Sequence, residues 1–500
     1  MKFFRSTIIA LAALLSTVFA VSATAQTAAQ QEIGYVDLVA LIGSGLEDGS
    51  GVTSAQVEAG TNYLANANNS ELNNTVFFNA SGTSTSSSGH ATSVGQRMYG
   101  SSSMTTGLGK AANPISAFSA SDFLFTQTNA STTGGDPEPF NFDVSNHSYI
   151  LYQSDAMFSD ANTINLLQRL DFMVDHNEST MCVGLNNGSF NPLPEFLTFM
   201  YNSISVGRTD AAHSSGITSV YGAGRTKPDI VAPDTATSFS SPLVCSAAAI
   251  LHEAGAGTDA TKTETIRALL LSGATKEEFA NWDRTTTRPL DEIFGAGELN
   301  IFNSYMSLQG GEFNGSTNSS NAGSVGMNGW DYESQIAAGD AMFYRFDVAQ
   351  GTEVDQLSIV LAWNMELIDQ APSPNVFNPS QNLGNLDLEF YDSSGSLLGS
   401  LIDESKSTVD NVEHIYLLNL PAGTYHLRVS SDTSRDFGLA WRSNLALIGD
   451  INLDGSIDLL DISPFIELIA ESDFLFEADI NGDGMVDFFD ISPFIALLAG

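Results

Sequence analysis

Lys227-Pro-Asp-Ile-Val-Ala-Pro-Asp-Thr-Ala-Thr-Ser238-Phe-Ser-Ser-Pro-Leu-Val244 joins a short apolar run to a stretch rich in Ala, Leu and Ile that ends at Glu253. Pro242, placed in an opening turn, reads as the start of a helix. Ser238 then stands at a strand-to-helix junction, where a neighbouring base can make a hydroxyl nucleophilic. From Ile33 to about Tyr305 apolar runs such as Ser148–Gln153, Met181–Leu185 and Ser203–Gly207 alternate with helical stretches such as Ala161–Asp175. This alternation predicts an α/β domain with a mostly parallel, three-layer sheet.

The stretch resembles the serine box of the subtilisin-like serine peptidases. It keeps the leading KPDIVAP, the Thr-Ser pair and the later Pro-x-Val, with Ala236 for the usual Gly and Phe239 for the usual Met. Gly89-His90-Ala-Thr-Ser-Val-Gly95 resembles the histidine box, with Ala91 and Ser93 in place of Gly and His. Met181-Cys-Val-Gly-Leu-Asn186-Asn-Gly188 resembles the strand and turn that carry the oxyanion asparagine. Asp143–Ser148 and Ile204–Gly207 resemble the flanking cleft strands, and Gly295–Asn300 the segment that closes the domain.

For the third triad member, Gly51–Gly60 has the shape of the aspartate strand with Glu58 in the acidic position; Asp37 and Asp48 compete for the role. A glutamate accepts an imidazole N–H as an aspartate does, but its extra methylene requires the backbone to stand back by about 1 Å. The resemblance, over residues 33–307, implies a serine endopeptidase acting on peptides or proteins. Ser238 would be nucleophile, His90 base, Glu58 its orienting carboxylate and Asn186 the oxyanion donor. A second reading keeps the fold without catalysis, as an extracellular binding or assembly protein.

Residues 308–330 are rich in Gly, Ser and Asn and read as a linker or long loop. Over 331–446, short apolar runs at Ala341–Val348, Gln356–Trp363, Leu386–Tyr391, Val412–Leu418, Gly423–Val429 and Phe437–Trp441 predict an antiparallel β-sandwich. Trp363 and Trp441 lie in such runs and read as core.

Residues 447–500 hold an internal repeat at an offset of 29, with 14 identities in 22 paired positions between Gly449–Ala470 and Ala478–Ala499. Asp450, Asn452, Asp454, Ser456, Asp458 and Asp461 place oxygens at loop positions 1, 3, 5, 7, 9 and 12, with Gly455 at the sharp turn; calcium takes this arrangement. Asp479, Asn481, Asp483, Asp487 and Asp490 repeat it around Gly484, Met485 offering only its carbonyl. The loops end in Asp and have only an exiting helix, a pattern that resembles a type I dockerin. That resemblance implies Ca2+ and a cohesin-like partner; a calcium-stabilised carboxyl-terminal cap is the plainer reading.

Lys2 and Arg5 precede an apolar run from Ile8 to Ala20 and the small residues Ala23-Thr24-Ala25, which predicts a signal peptide over 1–25 and a secreted protein, attached to a cell surface if the tail docks there. No second run is long enough to span a bilayer. About eight residues separate that cleavage site from the catalytic-like segment, so maturation with a long propeptide is not expected. Eighteen Lys and Arg against 58 Asp and Glu give a formal net charge of −40, which repels nucleic acid and anionic lipid, favours cations and keeps the surface soluble. Cys182 and Cys245, the only cysteines, are compatible with one buried bridge or two buried thiols.

Overall fold

The computed structural model describes residues 28–498 apart from 74, 84–85, 102–108, 111–113, 131–133, 140, 351, 372–375, 395–396, 446–448, 450, 452–456, 458, 472–474 and 482–484. The expected signal peptide and the loop residues Asp450, Asn452, Asp454, Ser456, Asp458 and Asp483 lie outside the described residues. Among those described, no helix is long and apolar enough to cross a membrane.

Seven strands, β1 (Ser54–Glu58), β2 (Phe77–Asn79), β3 (Ile115–Ser119), β4 (Val144–His147), β5 (Thr180–Gly184), β6 (Ser203–Arg208) and β7 (Ile230–Ala232), form one sheet in the order β2-β3-β1-β4-β5-β6-β7. Every neighbouring pair is parallel. Strands β1, β4 and β5 are buried along their whole length, as a sheet covered on both faces requires. The helices that matter to the site are α1 (Gly89–Tyr99), α2 (Asp160–Asn177) and α3 (Thr237–Ala254). From β1 the chain runs to one side of the sheet and from β4 to the other. A parallel sheet opens a crevice at the carboxyl ends of such strands.

Strand and helix α3 meet where the sequence places them, but Pro242 is the sixth residue of α3, beyond its first turn. A residue with an N–H there would bond the Ser238 carbonyl four residues back; proline has none. The carbonyl instead accepts the Ser148 hydroxyl at 2.8 Å. The missing helix bond is thereby replaced by a tie between the end of β4 and the residue next to the sheet's crevice.

Helix α4 (Thr263–Gly273) is buried at all eleven positions because it is covered from outside by the second domain. This is a sandwich of two four-stranded antiparallel sheets. Their strands are β8 (Gly329–Ile336), β9 (Ala341–Val348), β10 (Val354–Ala362), β11 (Leu386–Ser394), β12 (Leu397–Ser405), β13 (Val412–Leu420), β14 (Gly423–Ser431) and β15 (Arg435–Leu445), ordered β8-β15-β10-β13 and β9-β14-β11-β12. Strands β8 and β12 were not foreseen. The stretch 308–330, read as a linker or long loop, is bonded to the sandwich, Phe313 N to Trp330 O at 2.8 Å and Val325 N to Arg345 O at 2.8 Å. Trp363 and Trp441 are fully buried core residues.

Val360, Ala362, Val412 and Ala440 of the sandwich share one apolar cluster with Ile266, Leu269 and Leu270 of α4. Gly438 makes the approach possible, since a Cβ there would come within 2.5 Å of the Glu264 backbone. Asn411 Nδ2 donates across the boundary to Tyr201 O at 2.9 Å while also bonding Trp363 O at 2.7 Å.

Past the sandwich, α5 (Ile462–Glu471) and α6 (Ile491–Leu498) follow the two acidic loops. Phe465 and Phe494, equivalent residues of the repeat, pack with ring centroids 4.6 Å apart, so the two copies build one small core. Cys182 and Cys245 are buried free thiols; burial and a hydrogen bond to Cys182 hold the Cys245 thiol well above its ordinary range.

Candidate active site

Glu58 is the last residue of β1 and is 2% exposed. Its carboxylate is held from two directions. Oε1 accepts Gln56 Nε2 at 2.8 Å, and Oε2 lies 2.7 Å from His90 Nδ1. A carboxylate can only accept, so the ring proton belongs on Nδ1, which leaves the lone pair on Nε2.

Gln56 shares a face of β1 with Glu58 because side chains alternate along a strand. Its own amide is fixed, Nε2 donating to Ala91 O at 2.8 Å and Oε1 accepting from the Tyr99 hydroxyl. Tyr99 reaches it because Gly95, one turn back on α1, has no Cβ; one built there would sit 2.5 Å from the phenol oxygen. A chain of hydrogen bonds therefore runs from buried Tyr99 through Gln56 and Glu58 to the part-exposed His90.

His90 opens α1, whose N-cap Ser88 accepts the Ala91 N–H at 3.0 Å. Its side chain is 44% exposed. The hydrogen bond that Glu58 accepts, and then its charge, raise the imidazole above its ordinary 6.5, with partial burial opposing. Each effect follows from which protonation state the neighbour prefers.

Ser238 is the second residue of α3. The N-cap residue, Ala236, supplies no side-chain cap. Asn187 does so from another element, its Oδ1 taking the Thr237 N–H at 3.0 Å. Asn186 follows β5, and its Nδ2 donates to the Tyr152 hydroxyl at 2.6 Å, which itself donates to Pro192 O at 3.0 Å. This fixes which end of the Asn186 amide is the donor. Ser238 is linked to His90 through Phe239, whose ring lies 5.8 Å from the imidazole; among the described residues the Ser238 hydroxyl is not hydrogen-bonded to the ring.

A cavity of about 520 Å³ is lined by Glu58, Gly60, His90, Ser148, Tyr149 and Ile150. The next residues of the same segment, Leu151, Asp155 and Ala156, line a second cavity of about 670 Å³ with Phe125 and Phe158. All four residues expected from the sequence thus lie at carboxyl ends of strands or on the two helix starts beside them. Asp37 and Asp48 are on other elements; Asp37 is in the helix Tyr35–Ile42, and the Asp48 N–H bonds Glu253. Gln56, Tyr99, Tyr152 and Asn187 were missed. Only Gln56, two residues before Glu58 on a strand, had a signal in the sequence.

At the carboxyl end of the chain, Asp461 and Asp490 are fully buried. Asp461 accepts the Ile451 N–H at 2.7 Å, and Asp490 accepts those of Asn481 at 3.0 Å and Asp487 at 2.9 Å. Among the described residues no group of three or more His, Cys, Asp or Glu converges on a metal position.

Residues 448–498 match the family model described as the dockerin type I domain. No curated protein matches the chain. Similar solved structures include the MycP3 protease from the type VII (ESX-3) secretion system, with 14% identity over 57% of this chain and 89% of that one and a TM-score of 0.39. A protease from Pseudoalteromonas arctica PAMC 21717 has 14% identity over 52% and 91%, with a TM-score of 0.36. A cold adapted subtilisin-like serine proteinase has 18% identity over 51% and 88%, with a TM-score of 0.32.

Proposed function

We propose that the chain is a secreted serine endopeptidase with a calcium-dependent docking tail. The 2.7 Å contact between Glu58 and His90 carries this reading, because a buried carboxylate that fixes the imidazole tautomer is what an adjacent serine needs to become a nucleophile. Ser238 Oγ attacks a peptide carbonyl as its proton passes to His90 Nε2. Glu58 steadies the imidazolium, and the Asn186 amide and the Ser238 N–H meet the oxyanion. His90 then gives the proton to the leaving amine, and water, activated by the same imidazole, hydrolyses the ester to release acid and restore Ser238. On this reading Ser238 Oγ would meet Nε2 when substrate binds, as catalytic contacts often tighten in the complex.

In the tail, the all-oxygen donors of the two loops suit Ca2+, and in the second loop Asp490 already holds the Asn481 and Asp487 backbone N–H groups. Bound calcium would neutralise these carboxylates and fix the loops. We assign the partner to the cohesin class; exposed Phe488 and Phe489 offer an apolar contact.

The test is digestion of unfolded casein by the full chain and by Ser238→Ala. Cleavage lost in the variant supports the peptidase. No cleavage by either favours the inactive scaffold, and equal cleavage by both overturns Ser238 as the nucleophile.

A further inference from the structure

His90 and Arg97 lie seven residues apart on α1, hence on one face two turns apart. The axial rise over that interval is about 10 Å, room for one aromatic ring with a neighbour on each side. Phe239, the residue after Ser238, fills the gap from α3. Arg97 Cζ is 4.2 Å from its ring centroid, and the His90 ring is 5.8 Å away at 33°. The guanidinium is itself immobilised, by Asp234 at 2.5 and 3.2 Å and by Ser93 O at 3.1 Å.

We propose that Phe239 is a positioning residue for the peptidase reaction, its ring wedged between Arg97 and His90 so that the imidazole is registered against Ser238 and its cationic form meets an aromatic face. The proposal rests on the serine-peptidase reading. A residue covalently next to the nucleophile and in ring contact with the base couples their positions more directly than the sheet does. During acyl transfer the ring has a cation on either side, and each is attracted to its quadrupole. The charged groups about the imidazole are Glu58 on β1, Arg97 on its own helix and Asp234 before α3; all remain when Phe239 changes.

The experiment measures inactivation by a fluorophosphonate against pH, separating the maximal rate from the half-saturating concentration, for wild type, Phe239→Leu and Phe239→Tyr. Leucine keeps the bulk and removes the π face. Phe239→Leu is expected to react about threefold more slowly at saturation with unchanged half-saturation, and its acidic limb to move down by about half a pH unit, since the imidazolium loses a stabilising neighbour. Phe239→Tyr restores both. An unmoved limb, or a loss equal at every pH, overturns the proposal.

In parallel, the His90 ring resonances are titrated by NMR in Ser238→Ala and in Ser238→Ala/Phe239→Leu. A lowered midpoint in the double variant supports the ring's role, and equal midpoints contradict it. Wild type that reacts no faster than Ser238→Ala defeats the peptidase reading instead, and the NMR comparison still decides the role of Phe239.

Discussion

At the residue scale the account turns on Glu58. Its place in an aspartate-like strand was legible in the sequence, and the competing Asp37 and Asp48 lie on other elements. The groups that make Glu58 effective were not legible, because Tyr99 and Gln56 meet across the boundary between α1 and β1, where no local pattern records the pairing. Glu58→Gln keeps the shape but removes the charge and permits the wrong ring tautomer. We expect turnover to fall by about 10³ to 10⁴ and the acidic limb of the rate profile to move to lower pH, because the raised His90 value depends on Glu58. A limb that stays in place would show that another group sets it. Tyr152→Phe removes the acceptor that orients the Asn186 amide; about a tenfold loss in kcat with little change in KM is expected from steady-state kinetics.

At the scale of elements, helix α3 shows how a sequence signal can be right about type and wrong about position. Proline announced a helix start, yet it sits a turn further in, where its missing N–H leaves the Ser238 carbonyl to Ser148. Such a substitution of partners is invisible without the fold, since Ser148 is 90 residues away. Ser148→Ala should destabilise the protein by about 1–3 kcal/mol, the cost of an unmet part-buried carbonyl. Adding Pro242→Ala supplies a helix N–H and should recover the part of that loss due to the carbonyl, though not the Asn146 Nδ2 bond to Ser148 Oγ, in a denaturant-based double-mutant cycle. Simple additivity of the two changes would contradict the exchange of partners. The strand Leu397–Ser405 was missed because exposed Leu398 and Leu401 and the intervening Gly, Ser and Asp do not alternate cleanly.

At the scale of the whole molecule, the first domain and the sandwich share one apolar core. Helix α4 carries Glu264 and Arg267 beside its apolar residues, as a solvent-facing helix does, so it could not announce from sequence that a second domain covers it. Gly438→Ala places a methyl against the Glu264 backbone and should lower the stability of both domains together by about 1–3 kcal/mol; calorimetry resolving an unaltered first transition would oppose this. Burial also shapes the pH response. Asp175 and Asp331 are pushed up to about 7 and Glu298 to about 8, so between pH 6.5 and 8 the folded chain holds protons that the unfolded chain has lost. Stability therefore falls as pH rises through that window. The buried His147 and His252, lowered to about 3 and 4, act only below about 6.5, where the unfolded histidines take up protons. A melting temperature higher at pH 8 than at pH 6.5, at fixed calcium, would reverse the sign. The central claim, an acyl-transfer centre assembled from four distant parts of the chain, is tested most directly by mapping a fluorophosphonate adduct on the intact protein by mass spectrometry. The account predicts one adduct, on the peptide containing Ser238, abolished by His90→Ala as well as by Ser238→Ala; an adduct elsewhere, or one that survives His90→Ala at full rate, would contradict it.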